Sequence, residues 1–195
     1  LAAVGSSGLD APGGWIDMTR AVRSPGSALK PFIYALAMED GLISPATVIE
    51  DMPQSFGGYS PENFDRMFHG DVSVAEALQH SLNLPAVRVL ERIGAERLAS
   101  LLRVAGVDLS HKDSADGRTG LTLALGGAGV TMRDLGALYA ALGDSGRVLP
   151  LAWTMDDAVA NGSAEAAFRL FSAETALKVS AILGESPALA GRAPS

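Results

Sequence analysis

Residues 28–40, Ala-Leu-Lys-Pro-Phe-Ile-Tyr-Ala-Leu-Ala-Met-Glu-Asp, are apolar on nearly every side of a helical wheel, so a helix here has no face to offer water. Such a helix belongs in the middle of a domain, with other elements packed around it. Pro31 does not argue against it, because an N–H in the first turn has no intrahelical partner to lose; it fixes the helix start near Ser27. Gly41 ends it. A chain of 195 residues with 48% hydrophobic and 19% charged residues has the means to bury this helix in one core.

The flanking pattern is less regular. Residues 1–9 and 15–18 are short apolar or alternating runs bounded by Gly and Pro, which predicts two strands joined by a turn at 10–14. Residues 44–71 are rich in Pro, Gly, Ser, Asp and Asn and read as a long ordered loop, in which Tyr59, Phe64 and Phe68 either line a substrate cleft or, the preferred reading, pin the loop down. Ser73-Val-Ala-Glu76 is a capping box that opens a helix to about His80. Ser81-Leu-Asn83 interrupts it, and Pro85 restarts a helix that ends at Gly94. Residues 95–105 form an amphipathic helix stopped by Gly106, and Thr131-Met-Arg-Asp134 caps another that ends near Gly143. Residues 148–151 read as a strand, and Ser172 caps a last helix to Gly184. Gly126, Gly127 and Gly129 lack the Lys-Ser/Thr ending of a phosphate loop and read as places where backbones approach closely.

A formal charge of −7 argues against nucleic acid or an anionic membrane surface as partner. With no cysteine there is neither a disulfide framework nor a thiolate metal site. His69, His80 and His111 show no metal-ligand spacing and no partner acid. No apolar run reaches the roughly 20 residues of a membrane-spanning helix.

Two short motifs carry chemistry. Ser27-Ala-Leu-Lys30 puts a hydroxyl and an amine on one face of the first turn of the buried helix. A serine hydroxyl is a poor nucleophile until a base takes its proton, and a lysine can be that base only where burial lowers its pKa from about 10.4. The helix N-terminus adds N–H groups and partial positive charge where an oxyanion would form. The plainer alternative is an N-capping serine and a snorkelling lysine. Ser81-Leu-Asn83 is by itself a C-cap followed by an N-cap. Paired with the first motif, its hydroxyl can relay a proton from Lys30 to a leaving amine, and its amide can bind a substrate peptide carbonyl.

The run Arg23-Ser-Pro-Gly-Ser-Ala-Leu-Lys-Pro-Phe32 resembles the nucleophile motif of class A penicillin-binding proteins. Tyr59-Ser-Pro-Glu-Asn-Phe-Asp65 with Phe68-His-Gly70 resembles the loop before their second motif, and Glu76-Ala-Leu-Gln-His-Ser-Leu-Asn-Leu-Pro-Ala-Val87 resembles that motif with its flanks. Leu123-Ala-Leu-Gly-Gly-Ala-Gly-Val-Thr131, Tyr139 and Gly146 are similar to the segment that follows. Several ungapped runs in the right order are far more specific than one tetrad. Within the family, the Leu-Gly-Gly-Ala-Gly segment and Leu170-Phe-Ser172 most resemble the 1C subtype.

The resemblance implies an α+β fold of the serine β-lactamase and penicillin-binding transpeptidase type, one domain over residues 1–195. It implies a peptidoglycan D,D-transpeptidase in which Ser27 forms an acyl-enzyme from D-alanyl-D-alanine stem peptides, Lys30 is its general base, Ser81 relays the proton, and Asn83 positions substrate and Lys30. Stem peptides and β-lactam antibiotics are then the partners, with no metal or organic cofactor. The expected location is the outer face of the bacterial cytoplasmic membrane, in a parent protein with a membrane anchor and a glycosyltransferase domain. The family's third motif, Lys-Thr-Gly or a close variant, does not occur in residues 185–195, so the chain is expected to be C-terminally incomplete, marginally folded and a poor catalyst alone. A class A β-lactamase needs a deacylating Glu in a Glu-x-x-Leu-Asn setting, which is absent. A non-catalytic β-lactam sensor or degenerate relative is the alternative from another class.

Overall fold

A computed structural model describes residues 8–107, 109–110, 119–149, 151–152 and 168–187. Helix α1 (Lys30–Glu39) is its axis: every residue from Lys30 to Met38 is buried. Because no side of α1 is polar, it has to be covered all round, and α2 (Val74–Gln79), α3 (Asn83–Ile93), α4 (Ala95–Val104) and α7 (Ala173–Gly184) supply the cover. A 3₁₀ turn over Gly26–Leu29 leads into α1, and Pro31 lies in its first turn as the sequence predicts. At the other end Gly41 N–H reaches Met38 O at 3.0 Å and Leu42 N–H reaches Ala37 O at 3.0 Å, a Schellman motif. Gly41 takes the left-handed position of that motif at φ +68°.

The remaining helices follow their caps. Ser73 and Glu76 form the predicted reciprocal box at the start of α2, and Thr131 and Asp134 do the same for α6 (Met132–Gly143). Ser172 Oγ accepts the Thr175 N–H at the start of α7. Removing the box with Ser73→Ala is expected to cost about 1 kcal/mol, read as a lower melting temperature. A short helix α5 (Thr119–Thr122) runs into a 3₁₀ turn over Leu123–Leu125, which sits against the turn before α1. The buried side chains join into one hydrophobic cluster, from Leu29 on the first turn to Ile182 on α7.

Three segments differ from expectation. Residues 44–71 are not all loop: β1 (Val48–Asp51) pairs antiparallel with β2 (Gly70–Ser73), in register Val48 to Ser73 and Asp51 to Gly70. The turn-rich composition between them hides two four-residue strands too short to show alternation. Residues 15–18 are not a strand. Their backbone closes on itself in successive turns, Gly14 N–H to Ala11 O at 2.8 Å and Ile16 N–H to Gly13 O at 3.0 Å. Asp17 Oδ1 then takes the Thr19 N–H at 2.9 Å, the local side-chain bond that competes with pairing, and Trp15 is left 78% exposed. The expected strand at 148–151 shrinks to β3 (Arg147–Val148), paired with β4 (Phe168–Arg169). Residues 1–7 of the other predicted strand lie outside the described residues. The result is the expected α+β class, with helices around α1 and, among the described residues, two small two-stranded sheets.

Candidate active site

In the 3₁₀ turn before α1, Lys30 N–H bonds to Ser27 O, so the two residues stand one tight turn apart. Side chains at i and i+3 eclipse in such a turn, which puts the serine and the lysine on one face. Their surroundings differ. Ser27 is exposed, whereas Lys30 is 1% exposed. Burial pushes the Lys30 ammonium down to about 8.

What meets Lys30 comes from the break between α2 and α3. Leu82 N–H to Ala77 O at 2.9 Å and Ser81 N–H to Leu78 O at 3.1 Å form a second Schellman motif, and here the left-handed position is held by Ser81 at φ +54°. That turn leaves Ser81 O free to accept Lys30 Nζ at 2.5 Å, with Ser81 Oγ at 3.3 Å. Asn83, the first residue of α3, accepts from Lys30 Nζ through Oδ1 at 2.6 Å. Three oxygens surround the amine. As a neutral group it can donate to the two carbonyl oxygens at 2.5 and 2.6 Å and keep its lone pair for a hydroxyl.

Ser27, Ser81 and Asn83 line one cavity of about 380 Å³, together with Gly26, Phe64, His80 and Leu125. Lys30 is buried behind it. Among the described residues Ser27 Oγ has no hydrogen-bond partner, and Lys30 is given to Ser81 and Asn83 instead. The four predicted residues are thus brought to one place, three of them joined by hydrogen bonds and Ser27 by a shared turn and cavity.

The Ser27 turn is held from the far side. Ser24 Oγ donates to Gly126 O at 2.8 Å, Arg23 and Val130 exchange backbone bonds at 2.9 Å each way, and Tyr139 Oη donates to Ala28 O at 3.0 Å. The Tyr139 ring meets Phe32 edge-on at 5.3 Å. A Cβ on Gly126, at φ +89°, would lie 2.6 Å from Gly26 N, so the close approach expected of this glycine is real and sits beside the nucleophile candidate.

Of the two roles open to Phe64 it takes the cleft-lining one, not the preferred loop pin: it is fully exposed and forms a wall of the Ser27 cavity. Tyr59 does pack against the core, and Phe68 lines a separate cavity of about 270 Å³. Glu62 and Asn63 were unassigned, yet Glu62 O accepts from Asn83 Nδ2 at 2.6 Å and Asn63 Oδ1 accepts the Asn83 N–H at 2.7 Å. Their run was visible as part of the resemblance, but nothing local distinguished them from turn residues. His69 does have a partner acid: its Nε2 lies 3.1 Å from Asp65 Oδ2, an exposed pair one helical spacing apart. His80 lines the cavity, and His111 lies outside the described residues. Among the described residues no His, Cys, Asp or Glu cluster could hold a metal ion, and no helix is long and apolar enough to cross a membrane.

Comparison with known proteins gives the family and the fold. Residues 12–187 match the family model of the penicillin binding protein transpeptidase domain. The chain is 47% identical over 144 residues to penicillin-binding protein 1C of Escherichia coli (strain K12), covering 74% of this chain and 18% of that protein. It is 40% identical over 108 residues to penicillin-binding protein 1F of Bacillus subtilis (strain 168), covering 55% of this chain and 14% of that one. The chain therefore spans under a fifth of the length of these relatives. In fold it is similar to PonA1 of Mycobacterium tuberculosis, solved in complex with penicillin V, at a TM-score of 0.69 and 22% identity over 88% of this chain and 49% of that one. An exposed serine one turn from a buried lysine, matched across nearly the whole chain to one family model, places this protein in the penicillin-binding-protein transpeptidase family.

Proposed function

We propose that this chain carries the acyl-transfer site of a peptidoglycan D,D-transpeptidase. The observation that supports it best is Lys30: a buried amine brought down to about 8, one tight turn after an exposed serine and hydrogen-bonded to the residues of the second motif. In the proposed reaction neutral Lys30 takes the Ser27 hydroxyl proton as Oγ attacks the penultimate D-alanine carbonyl of a stem peptide. The tetrahedral intermediate collapses, the C–N bond to the last D-alanine breaks, and that amine leaves with a proton passed from Lys30 through Ser81 Oγ. An amine of a neighbouring stem peptide attacks the ester, loses its proton by the reverse route, and frees Ser27 as the new amide forms. Asn83 holds Lys30 and a substrate carbonyl. Residues of this chain supply the proposed nucleophile, base, relay and positioning amide, and no metal or organic cofactor enters the scheme.

A β-lactam presents the same acyl centre, so penicillins are proposed ligands; the similarly folded PonA1 was solved with penicillin V bound. The proposed parent is a membrane-anchored synthase with a glycosyltransferase domain, working at the outer face of the cytoplasmic membrane, and its third motif is proposed to come from sequence outside residues 1–195. The test is peptide mapping by mass spectrometry after exposure to a penicillin, on this chain beside a form extended through a Lys-Thr-Gly motif. An adduct on Ser27 in the extended form is the expected result. No adduct in either folded form, with several β-lactams tried, would leave a degenerate, non-acylating relative as the better reading.

A further inference from the structure

The Lys30 site is backed by a second, fully buried polar cluster that belongs to neither motif. Asn63, in the loop between β1 and β2, is 4% exposed, and Asp51, the last residue of β1, is 0% exposed. Asp51 Oδ2 accepts from Asn63 Nδ2 at 2.7 Å and from the His69 N–H at 2.9 Å, and Asn63 Nδ2 also reaches Met67 O at 2.8 Å. With both of its donor directions used in this way, Asn63 can turn only Oδ1 outward, and that atom takes the Asn83 N–H at 2.7 Å. The neighbouring Glu62 O takes Asn83 Nδ2 at 2.6 Å. An amide whose nitrogen is tied to a carbonyl must present its oxygen on the other side, and on that side is Lys30 Nζ at 2.6 Å.

We propose that Asn63, anchored by the buried Asp51 carboxylate, is a positioning residue: it holds the Asn83 backbone against the loop, where the adjoining Glu62 carbonyl takes the side-chain nitrogen and leaves the Asn83 oxygen for Lys30. The inference rests on the acyl-transfer reading above. A chain of bonds runs from β1 through the loop to α3 and ends on the amine, and two successive loop residues grip Asn83, one by its backbone and one by its side chain. The cost of the arrangement points to a use. Asp51 Oδ1 is buried without a hydrogen-bond partner among the described residues, as is the hydroxyl of Tyr34, one helical turn beyond Lys30 on α1. Burial and the Asp51 carboxylate hold the Tyr34 phenol far above its ordinary value. A sheet end and a loop that had only to be stable would be better served by an apolar pair than by a buried carboxylate with one oxygen unmet.

The test measures the rate constant for Ser27 acylation by a fluorescent penicillin in the full-length parent protein, together with the fraction of molecules labelled at completion. Wild type must label on Ser27; if it does not, the acyl-transfer reading fails rather than this one. Given labelling, Asn63→Ala is expected to slow acylation roughly 10- to 100-fold per labelled site while labelling still runs to completion. A merely structural role would lower the labelled fraction and leave the rate constant of the surviving sites alone, and that result would overturn the proposal. Ser73→Ala is the control for destabilisation: a lower melting temperature at an unchanged rate constant. Should Asn63→Ala not fold, the exchanged pair answers instead. Asn63→Asp alone sets two carboxylates against each other and loses the donor to Met67 O, whereas adding Asp51→Asn restores a donor to an acceptor between the two residues and keeps an oxygen toward Asn83, at the loss of the acceptor for the His69 N–H. Recovery of at least tenfold in rate over the single variant supports the proposal; equal rates in the two overturn it.

Discussion

Replacing Lys30 with alanine is expected to slow Ser27 acylation by about 10³-fold, within the range a positioned general base contributes. Burial has moved the pKa of this amine toward neutrality, to about 8, so it can lose its proton at working pH and take one from the hydroxyl. The wild-type rate should therefore climb with pH and level off above about 8, while the alanine variant should stay flat. Lys30→Arg separates base from charge: a guanidinium keeps the positive charge and cannot act as base, so it should be as slow as alanine. Pre-steady-state labelling with a fluorescent penicillin between pH 6 and 9 measures all of this, and a pH-independent wild type would remove Lys30 from the base role. The same shift has a signed effect on stability. Between about 8 and the ordinary 10.5 the unfolded chain holds a proton on this lysine that the folded chain has released, so stability rises with pH across that window. Below it both states are protonated, and the folded one bears the full penalty of a buried ammonium, on the order of 3 kcal/mol.

Gly126→Ala is expected to cost at least about 100-fold in acylation although residue 126 bears no side chain and is not among the residues lining the Ser27 cavity. Its Cβ would fall 2.5 Å from Ser24 Oγ, 2.6 Å from Gly26 N and 2.7 Å from Gly26 Cα. Two of those atoms are backbone, which cannot swing away, and they precede Ser27 directly. The turn must move, and a displacement of about 1 Å between nucleophile and base is enough for the predicted loss. Gly41→Ala is the comparison. It has the same left-handed backbone at φ +68° but open space around the added methyl. It should cost about 1 kcal/mol of stability with an unchanged acylation rate. If Gly126→Ala acylates at the wild-type rate, the contact with the Leu123–Leu125 segment is not what holds Ser27 in place.

The parts of this molecule that sequence disclosed are those whose determinants are local. The capping residues Ser73, Thr131 and Ser172 marked helix starts because a cap and its helix lie within one turn of each other. Lys30 and Ser27 were legible for the same reason, as was the break at Ser81. The misses are non-local. Residues 15–18 carry the apolar alternation of a strand, but a strand needs a neighbouring edge, and Asp17 is instead bonded to Thr19 and to Arg133 from α6. β1 and β2 find each other across a loop whose composition says only that it turns. Asn63 reads as one more turn residue until its partners, Asp51 behind it and Asn83 ahead of it, are placed in space. Phe64 reads as an aromatic needing burial, and no local signal tells a loop pin from a cavity wall.

The Schellman turns at the ends of α1 and α2 differ at the left-handed position, and the difference matters to anyone who hardens this domain by selection. Gly41 occupies the left-handed position of the first without strain, whereas Ser81 occupies that of the second at φ +54°, a conformation that costs a residue with a Cβ about 1 kcal/mol or more. A library sorted on heat resistance alone would replace that serine with glycine or asparagine, gain stability, and lose the hydroxyl that faces Lys30. Variants enriched in such a screen would melt later and acylate more slowly, so position 81 has to be held fixed whenever the rest of the sequence is allowed to drift.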